Sequence, residues 1–165
     1  MAQIYISLGS NIEREYYVKQ GLISLAQAFE LPFEQLTLSS LFESEAVGFN
    51  GAAFYNMVIS ITCSQSVEEV TNILRDIEFA HGRDHSAKKF SPRSLDLDLL
   101  LYDDLIIDQP AQLPRDEITK NAFVLWPLSQ VAPELSHPIV KQNYLELWQG
   151  YNKSSQKISI VKNCW

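Results

Sequence analysis

The stretch at 95–101, Leu-Asp-Leu-Asp-Leu-Leu-Leu, limits the fold of this 165-residue chain more than any other feature. Successive side chains of a β-strand point to opposite faces. A strand here therefore turns its alternate leucines into a core and presents Asp96 and Asp98 together on the other face. Neighbouring carboxylates repel each other and lose solvation beside an apolar strand, and Mg²⁺ removes both penalties. The pattern predicts a magnesium site, with an ordinary exposed sheet face as the alternative.

Apolar periodicity predicts the remaining elements of the chain. We expect strands at 3–8, 36–42, 53–63, 95–101 and 104–107, helices at 15–30, 67–81, about 121–130 and about 141–148, and an edge strand at 157–161. The helix at 67–81 is the clearest, because Ser66 and Glu69 have capping-box spacing and Gly82 suits its end. The order predicts one α+β domain over 1–165, a ferredoxin-like sandwich with helices on one face of a mainly antiparallel sheet. The other face is then free to carry a site.

Charge and composition exclude several classes of protein. A net charge of −7 argues against a duplex nucleic-acid partner. Five of the 13 Lys and Arg residues fall within 75–93, which suits a small anionic ligand such as a nucleotide, or else an ordinary solvated surface. No apolar run is long enough to span a membrane, and the N-terminus does not resemble a signal peptide. Cys63 is expected in the core and Cys164 in the tail, which indicates a reducing cytoplasm.

A second candidate site lies on the strand at 53–63. Phe54 and Asn56 share the face opposite to its apolar one, where a core strand gains nothing from an amide. A ring and an amide together suit a planar heterocycle that is stacked and read along its edge; the alternative is an asparagine that satisfies a bulge or loop. The polar segments 43–53 and 82–92 are predicted to be mobile loops over this site, or else plain surface connections.

Several motifs occur in a fixed order along the chain. They are Ser7-Leu8-Gly9-Ser10-Asn11, Ile77-Glu78 before Gly82-Arg83, Pro92-Arg93-Ser94-Leu95-Asp96-Leu97-Asp98, and Phe123-Val124-Leu125-Trp126-Pro127-Leu128 before Ala132-Pro133-Glu134. From residue 4 to about 145 the chain resembles the 6-hydroxymethyl-7,8-dihydropterin pyrophosphokinase family of folate biosynthesis.

The resemblance implies a monomeric enzyme that transfers pyrophosphate from ATP to the hydroxymethyl group of a reduced pterin. It implies that Asp96 and Asp98 hold two Mg²⁺ ions and that Arg83 and Arg93 grip the phosphates. The residues expected to bind the pterin are Ser44, Val47, Gly48, Phe54, Asn56 and Phe123. Those expected to bind ATP are Arg75, Glu78, Arg83, Arg93, Leu99 and Arg115.

Some positions depart from the family pattern. His85 and Asn121 stand where arginines are common, Phe90 replaces a tryptophan, and Arg115 replaces a histidine. Each lost charged contact to phosphate is expected to cost roughly 1.5–3 kcal/mol if nothing replaces it. We therefore expect retained chemistry with altered nucleotide affinity. The alternatives are a paralogue that binds pterin or nucleotide without transfer and, as a weaker match, a nucleotidyltransferase.

Overall fold

The computed structural model describes residues 1–45, 51–82 and 94–165. Within them one antiparallel sheet has the strand order β5-β1-β4-β3-β6, and β2 pairs with β4 beside this path. The elements are β1 Ala2–Ser10, α1 Arg14–Ala28, β2 Thr37–Leu38, β3 Leu41–Ser44, β4 Phe54–Cys63, α2 Val67–Ala80, β5 Asp96–Tyr102, α3 Ala122–Val131, α4 Tyr144–Gln149 and β6 Ile158–Val161. The predicted α+β, ferredoxin-like architecture is confirmed, and β6 is an edge strand as expected.

The face of the sheet that carries α1 and α2 is a continuous apolar core. Alternate residues of β1, β4 and β5 enter it, with Leu97 and Leu99 each 4% exposed. Val70, Leu74 and Ile77 of α2 supply the helical side of the contact. The predicted capping box is present, because the Glu69 N–H donates to Ser66 Oγ and the Ser66 N–H donates to Glu69 Oε1. Cys63 also lies in this core, and burial raises the pKa of its thiol.

The opposite face is not free along its whole length, which corrects the sequence prediction. Helices α3 and α4 pack over one half of it and bury a second apolar cluster that includes Tyr5, Val58, Leu100 and Leu101. Helix α3 is apolar except for Ser129 and Gln130, as expected of a largely buried helix. The half of this face around the start of β4 and β5 is left for polar side chains.

Two strand predictions were wrong in detail. The strand expected at 36–42 is divided at Ser39, whose hydroxyl accepts a hydrogen bond of 2.9 Å from the Val58 N–H where a backbone carbonyl would otherwise stand. The residues 104–107 form only an isolated bridge between Ile107 and Leu113, and Ile106 is 60% exposed. No helix in the described parts of the chain is long and apolar enough to cross a membrane.

Candidate active site

The polar half of the sheet is organised by strand register. Gly9 of β1 pairs with Asp96 of β5 on one side and with Asn56 of β4 on the other, and Ser7 likewise lies beside Asp98. Directly paired residues share a face. The two carboxylates and the amide therefore lie on one surface, and Gly9, which has no side chain, separates Asp96 from Asn56.

Asp96 and Asp98 lie on the face that the alternation predicts. Both are partly buried, and the Asp98 side chain is 27% exposed. The Arg115 Nη2 atom lies 3.3 Å from Asp98 Oδ1 and also 3.3 Å from Glu117 Oε1. Arg115 is held there by its own N–H, which donates to the Leu100 carbonyl at 3.0 Å. A residue predicted to bind ATP thus contacts a predicted metal ligand.

The Arg115 guanidinium has one group without a hydrogen-bond partner among the described residues. Its Nε atom is buried and has no hydrogen-bond acceptor within the described structure. An unpaired buried donor is unfavourable by roughly 1–3 kcal/mol. The Nε–H group of Arg115 is therefore left to donate to a further acceptor.

Asn56 and Ser44 are two polar residues predicted to bind the pterin, and they lie next to each other. The Asn56 Nδ2 group donates to Ser44 Oγ at 2.7 Å, and both residues are buried. The Asn56 Oδ1 atom points across Gly9, since a Cβ added to Gly9 would lie 3.2 Å from it. One polar face of the amide is thus fixed by Ser44, and its carbonyl oxygen is directed toward the space in front of Asp96.

The two predicted stacking rings come from different elements. Phe54 begins β4, and Phe123 lies in the first turn of α3, which packs on β4. Both rings are partly buried on the face that carries Asn56 and Asp96. Their position suits the walls of a pocket whose floor is the sheet.

Three predicted nucleotide residues lie away from this surface. Leu99 points into the α1/α2 core, so its side chain faces away from the carboxylates and only its backbone is left for adenine. Glu78 is buried on α2 and accepts a 2.9 Å hydrogen bond from the Leu97 N–H, which covers the open edge of β5. Arg75 is exposed on α2. Arg83, Arg93, Val47 and Gly48 lie outside the described residues.

The carboxylates of Asp96 and Asp98 are suited to Mg²⁺ that binds together with a nucleotide. No group of three or more acidic, histidine or cysteine side chains suited to a metal occurs in the described ranges. Mg²⁺ commonly takes one or two protein carboxylates and leaves the rest of its octahedron to water and phosphate oxygens. Asp96 and Asp98 match that donor set.

Sequence reasoning missed one residue of this surface. The first strand was expected at 3–8, but β1 continues through Gly9 to Ser10. The alternation of side chains along β1 continues through Gly9. Gly9 could therefore have been assigned to this surface if the strand had not been ended before the glycine.

Comparison with known proteins identifies the family. The model of the 7,8-dihydro-6-hydroxymethylpterin-pyrophosphokinase family matches residues 5–133. A 2-amino-4-hydroxy-6-hydroxymethyldihydropteridine pyrophosphokinase of Aquifex aeolicus is 31% identical over 145 residues, covering 86% of this chain and 88% of the relative. The protein of the same name from Pseudomonas aeruginosa is 31% identical, covering 82% and 84%. The chain belongs to this pyrophosphokinase family and is an enzyme of the diphosphotransferase class.

Solved structures agree on the fold. The wild-type HPPK-DHPS of Plasmodium falciparum crystallised with SDX-DHP has a TM-score of 0.67 at 11% identity. The match covers 92% of this chain and 44% of that one, so this chain spans less than half of the solved protein. It likewise spans 30% of a folate synthesis bifunctional protein from Chlamydia caviae, to which it is 31% identical.

Proposed function

We propose that this chain transfers pyrophosphate from ATP to the hydroxymethyl group of 6-hydroxymethyl-7,8-dihydropterin, a step of folate biosynthesis. The observation that carries the proposal is the row Asp96, Gly9, Asn56, in which a carboxylate and an amide lie one strand apart on the same surface. The carboxylates suit metal-bound triphosphate, and the amide suits a flat heterocycle beside it.

The chemistry balances without a covalent enzyme intermediate. The pterin hydroxyl oxygen forms a bond to the β-phosphorus of ATP, and the bond from that phosphorus to the bridging oxygen of the α-phosphate breaks. AMP leaves with that oxygen, and the hydroxyl proton passes to water. Bound Mg²⁺ supplies neutralisation of charge on the transferred phosphoryl oxygens. The protein's part is therefore positioning and exclusion of water.

The described side chains have distinct roles in this proposal. Asp96 and Asp98 would hold two Mg²⁺ ions, which would neutralise charge on the nucleotide phosphates. Asn56 accepts from the pterin edge through Oδ1 while Ser44 fixes its orientation, and Phe54 and Phe123 stack on the ring. Arg115 leaves Asp98 for the nucleotide phosphates. The remaining predicted roles also stay proposals. Nucleotide binding is assigned to Arg75, Glu78, Arg83, Arg93 and Leu99, and pterin binding to Val47 and Gly48.

We further propose that the enzyme acts as a monomer in the cytoplasm, without a nucleic-acid or membrane partner. Both cysteines are free thiols, which supports a reducing compartment.

The test is AMP release from ATP and Mg²⁺, with and without 6-hydroxymethyl-7,8-dihydropterin. We expect pterin-dependent AMP formation that falls by at least two orders of magnitude in Asp96→Ala and in Asp98→Ala, because each removes a metal ligand while leaving the core face unchanged. Asp104→Ala is the matched control, since it removes an exposed carboxylate just past the other end of β5. Its activity should equal that of the wild type.

The rival function is binding without transfer. Calorimetry that shows pterin and nucleotide binding, together with no pterin-dependent AMP, would establish it. Full activity in either aspartate variant would remove the metal-site assignment.

A further inference from the structure

Arg14, the first residue of α1, makes three contacts with the β3–β4 pair. Its Nη1 atom lies 2.8 Å from Glu43 Oε2 and donates to the Ala53 carbonyl at 3.0 Å. Its guanidinium carbon lies 4.0 Å from the centre of the Tyr55 ring. One side chain thus joins the end of β3, the residue before β4 and the second residue of β4.

These contacts lie directly behind the residues assigned to the pterin. Glu43 pairs with Tyr55, and the next pair along the two strands is Ser44 with Phe54. Alternate residues of a strand point to opposite faces. Arg14 therefore holds this end of the sheet from the α1 side, while Ser44 and Phe54 face the site.

The stability of α1 does not explain an arginine at this place. A cation in the first turn of a helix opposes the helix dipole, and no side chain caps this N-terminus. The ion pair with Glu43 is also partly exposed, with 38% of the Glu43 side chain accessible, and such pairs contribute little. What the three contacts share is that each one fixes a residue adjacent to Ser44 or Phe54.

Asn11 reinforces the same point of the chain. Its Nδ2 group donates to the Ala52 carbonyl at 3.2 Å, one residue before the carbonyl that Arg14 holds. Terminal strand residues fray readily when nothing restrains them. The backbone that leads into Phe54 is thus held by two side chains, Asn11 from the connection between β1 and α1 and Arg14 from the start of α1.

We propose that Arg14 is a positioning residue for the pterin: it fixes the start of β4 so that Phe54 and the Asn56–Ser44 pair are set before the substrate binds. This inference rests on the proposed function for the identity of the ligand. Preorganisation lowers the ordering that binding must otherwise supply. Loss of this preorganisation should weaken pterin binding and leave ATP binding unchanged.

The test compares Arg14→Gln and Arg14→Lys with a control that has the same kinds of contact elsewhere. In Lys153→Gln the lost cation lies 4.6 Å from the Trp148 ring and donates to the Trp148 carbonyl at 2.7 Å, away from the site. We expect Arg14→Gln to raise KM for the pterin about tenfold, with kcat and KM for ATP within about twofold of wild type. Arg14→Lys should recover part of the loss. Lys153→Gln should lower Tm without changing either KM.

Hydrogen exchange gives a readout that does not depend on turnover. In Arg14→Gln the amides of 54–56 should exchange faster, while those of 58–62 in the same strand stay protected. Unchanged exchange and an unchanged pterin KM would overturn the proposal, as would an equal rise of pterin KM in Lys153→Gln. If the wild type releases no AMP, the proposed function fails, and exchange together with pterin calorimetry still decides the role of Arg14.

Discussion

The two faces of the sheet are built from the same strands and serve different purposes. On the α1/α2 face Leu97 and Leu99 are almost completely buried, whereas on the other face the Asp98 side chain between them keeps 27% of its surface exposed. The second face is itself divided, since α3 and α4 seal one half of it. Because strand residues alternate, neighbours in sequence can be assigned to stability and to binding separately. Substitutions in adjacent positions should therefore have effects of different kinds.

The largest expected effect is on the buried face. Leu97→Ala should lower the free energy of unfolding by about 2–5 kcal/mol, because it removes a fully packed side chain and leaves a cavity. The Leu97 N–H stays available to Glu78, so β5 keeps its edge contact. Urea unfolding measures the loss, and AMP release per folded molecule should stay near that of the wild type. Stability within about 0.5 kcal/mol of the wild type, or a loss of activity in the folded fraction, would contradict the separation of the two faces.

Alternation made much of this arrangement predictable, and a bulge marks where it stops. Asp96, Asp98 and the leucines that alternate with them, Leu95, Leu97 and Leu99, lie as the period of two requires. At Leu100 the register with β1 shifts, so that both Leu100 and Leu101 enter the α3/α4 cluster. A bulge adds one residue to one strand, and a run of three leucines carries no signal of which residue is extra.

Long-range packing was the other part that the sequence did not determine. The helices at 122–131 and 144–149 were expected, but nothing local says which sheet face they cover. The residues 104–107 have the apolar composition of a strand, yet among the described residues their only bridge joins Ile107 to Leu113. For the site, Asn56 and Ser44 could each be proposed separately, whereas their hydrogen bond depends on the register between β3 and β4.

The next effect sharpens the comparison within the site. Gly9→Ala adds a Cβ 3.2 Å from Asn56 Oδ1 and 3.7 Å from Phe54 Cδ1, in the space between the amide and Asp96. We expect kcat/KM for the pterin to fall about 10- to 100-fold, because small displacements of bound reactants have effects of this size. Thermal unfolding should change little. AMP-release kinetics at varied pterin concentration measure the effect.

Gly21→Ala is the matched substitution on the other face. Its Cβ would meet Leu8 Cδ1 and Leu95 Cδ1 at 3.0 Å within the α1/α2 core. Overpacking by a methyl group typically destabilises by about 1–3 kcal/mol, and the gain in helix propensity offsets about 1 kcal/mol. We expect a net loss of about 1 kcal/mol and normal kinetics. If Gly21→Ala impaired pterin kinetics as much as Gly9→Ala, or Gly9→Ala left them unchanged, the open floor at Gly9 would have no special role.

The last prediction concerns Arg115, which contacts another residue of the site, Asp98. Its guanidinium lies 3.3 Å from Asp98 Oδ1, so a divalent cation that binds Asp98 in the absence of nucleotide meets a nearby positive charge. Arg115→Gln should therefore bind Mn²⁺, used as a paramagnetic probe for Mg²⁺, about tenfold more tightly in the free protein. The same variant should bind ATP with its metal about tenfold more weakly, because a charged contact to phosphate is lost.

Tighter Mn²⁺ binding together with weaker ATP binding in Arg115→Gln would show that Arg115 exchanges Asp98 for the nucleotide phosphates. A purely structural ion pair predicts that neither binding constant moves, and a simple phosphate contact predicts that only nucleotide binding weakens. Electron paramagnetic resonance titration of Mn²⁺ with and without ATP measures both in one series. Lys162→Gln is the control, since it removes an exposed positive charge just after β6, at the opposite edge of the sheet from β5, and should change neither value. A tighter bare-metal site together with weaker nucleotide binding would mean that Arg115 neutralises Asp98 until ATP brings the metal.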